Sequence, residues 1–198
     1  MQSPIPIESR ALGTLAYIRT SIETSGSMAV PGMAGIVMGG IGMLATVVAS
    51  FPAAAPWWLE IWLVAAAIAL IVGGAMMARE AAQSGHARYL GPVRKFLLCL
   101  CPALLAGAVL TLVLWLGGTA HFIPGVWLLL YGCAVLSAST VTVARTMRLI
   151  CQMGGLFVML SLLAFAAPPA FHTLILGMGF GALHVVFGML IGQFGHAE

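Results

Sequence analysis

Six apolar stretches of about 20 residues each, separated by short breaks rich in proline, glycine or basic residues, occupy most of this 198-residue sequence. A helix needs roughly 20 apolar residues to cross the hydrocarbon layer of a bilayer. The stretches predict spans over residues 31–50, 57–78, 96–116, 124–143, 149–167 and 171–192. Only 7% of the residues are charged, whereas 62% are hydrophobic. A soluble domain carries about 25% charged residues, so the apolar surface of this chain has to face lipid. The expected fold is all-α: a single membrane domain over residues 1–198, built as a bundle of six transmembrane helices.

Residues 1–27 precede the first span. They lack the apolar core and small-residue cleavage site of a secretory signal. Ala11, Leu15, Ile18 and Ile22 fall on one helical face, which predicts a short amphipathic helix lying in the headgroup plane.

The basic residues set the expected orientation. All eight Lys and Arg fall in the N-terminal segment (Arg10, Arg19), after span two (Arg79, Arg88, Arg94, Lys95) or after span four (Arg145, Arg148). Loops 51–56, 117–123 and 168–170 hold none. The positive-inside rule then places both termini in the cytoplasm. The five tryptophans, at 57, 58, 62, 115 and 127, gather toward the opposite side as interface anchors. The net charge of +3 reflects these basic loops, and no basic run or aromatic-basic alternation points to nucleic acid.

Two spans carry glycine faces. In span one, Gly32, Gly35, Gly39, Gly42 and Thr46 step three and four residues down one side. In span six, Gly177, Gly181, His184 and Gly188 come at steps of four, three and four, and regular 3.6-residue spacing puts all four on one face. Small residues at this spacing let membrane helices approach backbone to backbone. Spans one and four share a start, VPGMAGIVMG and IPGVWLLLYG, in which a second glycine stands seven residues after the first. Three spans apart, the two copies cross in opposite senses, which predicts a 3+3 inverted repeat of the kind transporters use. Pro-Gly is also ordinary punctuation at a helix start.

His184 is the one titratable side chain deep within a span. Lipid cannot satisfy an imidazole, so it either relays protons or hydrogen-bonds a facing helix. Its flanking glycines favour the bond, with Tyr131, Ser137, Ser139 and Thr140 of span four as candidate partners. Glu60, one turn inside span two, either lines a cation or proton path or reaches up to the headgroups, and the second is the commoner role. Bis-histidine haem ligation needs a second histidine at matching depth, and His86, His121, His172 and His196 all lie toward the span ends. Met28, Met33, Met38 and Met43 recur every five residues, about 140° apart on a helix, and form no ligand stripe for copper. The four cysteines read as small core residues. No metal or cofactor is expected.

A six-span chain with a histidine in its last span is similar in outline to rhomboid-type intramembrane proteases. Their Gly-x-Ser-Gly nucleophile motif is absent, since Ser137 and Ser139 lie in LSAST. The combination of VPGMAG, IPGVWLLLYG and GFGALHVVFG resembles a group of small bacterial six-span inner-membrane proteins of no assigned activity. The resemblance implies a bacterial inner membrane and a six-helix fold, and it implies no binding residue. Two functions stand as expectations. The first is a non-enzymatic structural or accessory subunit, packed through its glycine faces and contacting lipid, a membrane-protein partner or a second copy of itself. The alternative is a small transporter or channel with a mid-membrane site near His184, Tyr131 and Ser137.

Overall fold

The computed structural model describes residues 30–83 and 90–195. Every extended element among them is a helix, and six are long and apolar enough to cross a membrane. The protein is a multi-pass integral membrane protein. The first five spans are α1 (Gly32–Ala49), α2 (Trp58–Gln83), α3 (Leu90–Leu116), α4 (Ile123–Ser139) and α5 (Ala144–Ala166). Span six is composite: α6 (His172–Leu176), a π-helical stretch (Gly177–Leu183) and α7 (His184–Gly195). The expected amphipathic helix and both termini lie outside the described residues.

The helices depart from the apolar stretches at three places. Both α2 and α3 continue into the charged connector, so Arg79, Glu80, Arg94 and Lys95 sit on helix ends rather than in a loop. Helical hydrogen bonding does not stop at the edge of the apolar run, and the turns beyond it can carry charge. Span four ends earlier than expected, at Ser139, because Thr140, Val141 and Thr142 turn back through hydrogen bonds to Ser137, Ala138 and Ser139. The short loop 51–56 is wound into a 3-10 helix, Pro52–Trp57.

The helices form a ring in chain order. Helix α1 packs on α2, α3 on α4, α4 on α5, α5 on span six, and span six closes back on α1. The ring has a seam: α2 and α3 share no extended packing among the described residues. Correspondingly, 11% of the span-two window and 6% of the span-three window is buried, against 50% for spans four and six. The two helices beside the seam are therefore the most lipid-facing. The core lies between the other four, around Leu128, Phe157, Leu176 and Phe187, and takes in Trp62 from α2.

Glycine sets the closure of α1 on span six. A methyl group added at Gly39 would lie 2.7 Å from the Gly181 carbonyl, and one at Gly42 would lie 2.7 Å from the carbonyl carbon of Phe180. Gly32 and Gly35 meet the backbone at Gly188, and Gly177 meets the Thr46 side chain. A side chain at Gly32, Gly39 or Gly42 would have to displace backbone, not only a flexible neighbour. A second close approach joins α4 to α5 through Gly132 and Gly154.

The expectation that His184 shares the glycine face is corrected. Gly177, Gly181 and Gly188 all face α1, whereas the His184 imidazole faces Tyr131 of α4. The π-helical stretch Gly177–Leu183 turns His184 relative to Gly177 and Gly181. An i→i+5 turn carries an extra residue and rotates the residues beyond it relative to a regular helix. The shared Pro-Gly starts of spans one and four likewise lead to unlike packing. Gly32 and Gly39 face span six, whereas Gly125 and Gly132 face α5 through Phe165 and Phe157.

The glycine interface is testable with a matched pair. Gly42→Leu should lower stability by at least about 2 kcal/mol, the scale of overpacking a tight contact. Gly40→Leu should leave the melting temperature nearly unchanged, because nothing lies within 4 Å of an added methyl there. Equal melting of the two variants would contradict the close approach of α1 and span six.

Candidate functional site

Tyr131, midway along α4, and His184, at the start of α7, meet inside the ring. The Tyr131 hydroxyl oxygen lies 2.7 Å from His184 Nε2. The other ring nitrogen, Nδ1, lies 3.4 Å from the Gly179 carbonyl oxygen. A carbonyl only accepts, so in a neutral imidazole the two contacts select one tautomer. Nδ1–H donates to Gly179, and the tyrosine O–H donates to Nε2. The imidazole is 4% exposed, with Phe157 edge-on at 5.5 Å and Phe180 roughly parallel at 6.3 Å between centroids.

Local sequence explains how this pair assembles. Gly179 and Gly181 lie in the π-helical stretch, and Gly179 packs against Leu128 and Phe157, where a side chain would collide. The absence of a side chain lets the helix bring the histidine against α4. Tyr131 is held in turn by ring contacts to Phe157 at 4.8 Å and Phe180 at 5.2 Å.

The other two candidate residues are elsewhere. Ser137 is exposed on α4 and donates to the Cys133 carbonyl at 2.9 Å. Glu60 is exposed in the first turn of α2. Neither joins the Tyr131–His184 pair. Other hydroxyls along the spans also bond their own helices, including Thr46 to Gly42, Ser139 to Leu136 and Ser161 to Val158. Such back-bonding satisfies a hydroxyl without any partner helix. His172, near the start of span six, lies 3.2 Å from the Ala167 carbonyl. Among the described residues, no three His, Cys, Asp or Glu side chains gather as a metal site would need.

A cavity of about 260 Å³ adjoins the pair, behind the seam between α2 and α3. Its walls include Tyr131 and His184, Phe180, Trp62 and Trp127, with small residues of α2 and α3 opposite. Two of the nearby tryptophans are satisfied. Trp127 Nε1 donates to Thr111 at 2.7 Å, and Trp58 Nε1 donates to Thr173 at 2.8 Å. Trp58 and Trp127 stack at 6.4 Å. Trp62 differs: it is 3% exposed, and its buried Nε1 has no hydrogen-bond partner among the described residues.

Trp62, expected as an interface anchor alongside Trp57 and Trp58, belongs to the buried core instead. Its spacing held a signal that distinguishes it. Trp58 and Trp62 are four apart and so share a helical face, and both turn inward, whereas Trp57 is exposed.

The Tyr131–His184 bond is measurable by a double-mutant cycle. Tyr131→Phe, His184→Ala and the double variant should give a coupling energy of about 0.5–1.5 kcal/mol, the range for hydrogen bonds between membrane helices. Additive losses of stability would mean that the two side chains do not hold one another. The chain matches no family model, and neither a curated protein nor a solved structure matches it, so the functional reading rests on this geometry.

Proposed function

We propose that this protein is a non-enzymatic accessory subunit of a bacterial inner-membrane complex, with both termini in the cytoplasm. The observation that carries the reading is the fate of its intramembrane polar groups. His184 is engaged with Tyr131 and Gly179, Thr111 and Thr173 accept from Trp127 and Trp58, Thr46, Ser139 and Ser161 bond their own helices, and Glu60 and Ser137 are exposed. A route for ions or polar solutes needs several convergent polar groups along its length. Among the described residues, the polar groups beside the apolar cavity that hydrogen-bond across helices, Tyr131 with His184 and Trp127 with Thr111, are already engaged with one another.

The exposed apolar faces of α2 and α3 supply the contact surface, through residues such as Leu63, Ile71, Leu105 and Leu112. Lipid covers such faces in an isolated copy. In a complex, a partner membrane protein or a second copy covers part of them. The alternative reading, a small transporter or channel, draws on the cavity that reaches Tyr131 and His184. Ser137 and Glu60 add nothing to that site as they stand.

Native mass spectrometry after gentle extraction from the source membrane is the direct test, and a stoichiometric complex with another membrane subunit is the expected result. A lone monomer or homo-oligomer, combined with liposome flux that His184→Ala abolishes at unchanged melting, would replace this reading with the transporter. The proposed orientation predicts that reporter fusions at either terminus are active only as cytoplasmic reporters. An active periplasmic reporter at one end would overturn the assigned topology.

A further inference from the structure

Helices α2 and α3 are the two spans attached on one side only. Among the described residues, α2 packs along α1 and α3 along α4, whereas each other span has extended contacts with two neighbours. Between them lies the cavity of about 260 Å³, lined by Ala65, Ala66 and Ala69 of α2 and by Ala103, Gly107 and Ala108 of α3. Folded interiors hold few voids larger than a water molecule, so a void of this size marks helices that stand apart. A methyl group added at Gly107 would meet Leu130 of α4 within 4 Å, and nothing from α2.

The seam is bridged where α2 begins and α3 finishes. Trp58, the first residue of α2, lies nearly parallel to Trp127 of α4, with 12° between the ring planes. Trp127 donates to Thr111 of α3, and Trp58 donates to Thr173 of span six. One cluster thus ties α2, α3, α4 and span six together at this level. Further along α3, Pro102 interrupts the helix. A proline has no N–H to offer the carbonyl four residues back, and its ring crowds the preceding turn, so helices bend at such points. Sparse packing and low burial mark the segments that move within a native fold, and 6% of the span-three window is buried.

We propose that the seam is a hinged joint that closes: α3 swings on the Trp58–Trp127–Thr111 cluster until its small residues meet those of α2, and the cavity collapses. Ala103 and Gly107 stand four apart on α3, as do Ala65 and Ala69 on α2. Small residues at this spacing let membrane helices touch backbone to backbone. What fills the void is then the chain's own helix. The structure is the open form, in which the void lies beside Tyr131 and His184. The exposed apolar faces of α2 and α3 turn relative to one another as the seam closes, so a membrane neighbour bound to one form shifts the balance toward it.

The test is double electron–electron resonance on the full chain in phosphatidylcholine nanodiscs, with the four cysteines replaced by alanine and spin labels introduced in pairs. Ile71→Cys with Leu105→Cys reports the middle of the seam, and Val64→Cys with Leu112→Cys reports the end beside Thr111; all four positions are exposed. Melting curves verify folding. Two separated distances are expected from the first pair and one from the second. Gly107→Leu should remove the shorter of the two by propping the seam open, and Ala103→Leu stands in if that variant misfolds. Gly40→Leu, on an open face of α1, should leave both distributions as they are. Trp127→Phe, which cannot donate to Thr111, should broaden the distance of the second pair. A single distance at the first pair, or two whose ratio Gly107→Leu leaves unchanged, would overturn the proposal. Two distances at both pairs alike would also overturn it, because α2 and α3 would then part along their whole length instead of turning on the cluster.

Discussion

Direct backbone approach between α1 and span six is the constraint on which the rest of the bundle depends. No hydrophobic force drives helices together in lipid, so close packing and interhelical hydrogen bonds must do so. The glycines at 32, 39 and 42 meet the backbone of span six with no room for a single added carbon, and Gly35 meets it tightly at Gly188. This contact joins the first span to the last and closes the ring. It also fixes which side of span six is left to face α4, and so determines where the imidazole of His184 can go.

The π-helical stretch converts that packing into a site. In a regular helix His184 would stand about 60° from Gly181, and the wider π-helical turn increases that angle. The extra residue per turn separates the two demands, leaving small residues against α1 and the imidazole against Tyr131. π-helical turns occur often at functional positions. Here the turn holds the one interhelical bond to an imidazole among the described residues. The same pair forms part of the wall of the cavity beside Trp62 and Trp127.

Much of the fold was legible because membrane spans are written in the coarsest features of a sequence. Length and hydropathy located all six spans, and the 3-4 spacing of glycines in span one identified the face that packs. Rotation about a helix axis escaped. The spacing of Gly177, Gly181, His184 and Gly188 assumes 3.6 residues per turn throughout, and one π-helical stretch invalidates it for the histidine. Tyr131 could be named as a partner because it lies in mid-span, but Ser137 could not be ruled out without knowing which way it faces. The end of span four was misplaced by four residues, since Thr140–Val143 is apolar enough to continue a helix and only the turn hydrogen bonds stop it. The cavity was invisible, because it arises from two helices that fail to meet, and no residue pattern records a missing contact.

The ring order has a consequence for how the chain assembles. As spans enter the membrane in sequence, α2 has α1 to pack on, α4 has α3, and α5 has α4. Two partial bundles, α1–α2 and α3–α4–α5, can therefore form early, joined by the connector and by the Trp58–Trp127 stack. The last span packs on both, on α1 through glycine and on α5 and α4 through α6, α7 and the π-helical turn between them, and it adds to the Trp58–Trp127 stack that joins α2 to α4. The contacts of greatest sequence separation thus form last, which slows folding. Until the last span is inserted, the two halves lack the glycine-packed contact that closes the ring, and their exposed faces are open to misassembly.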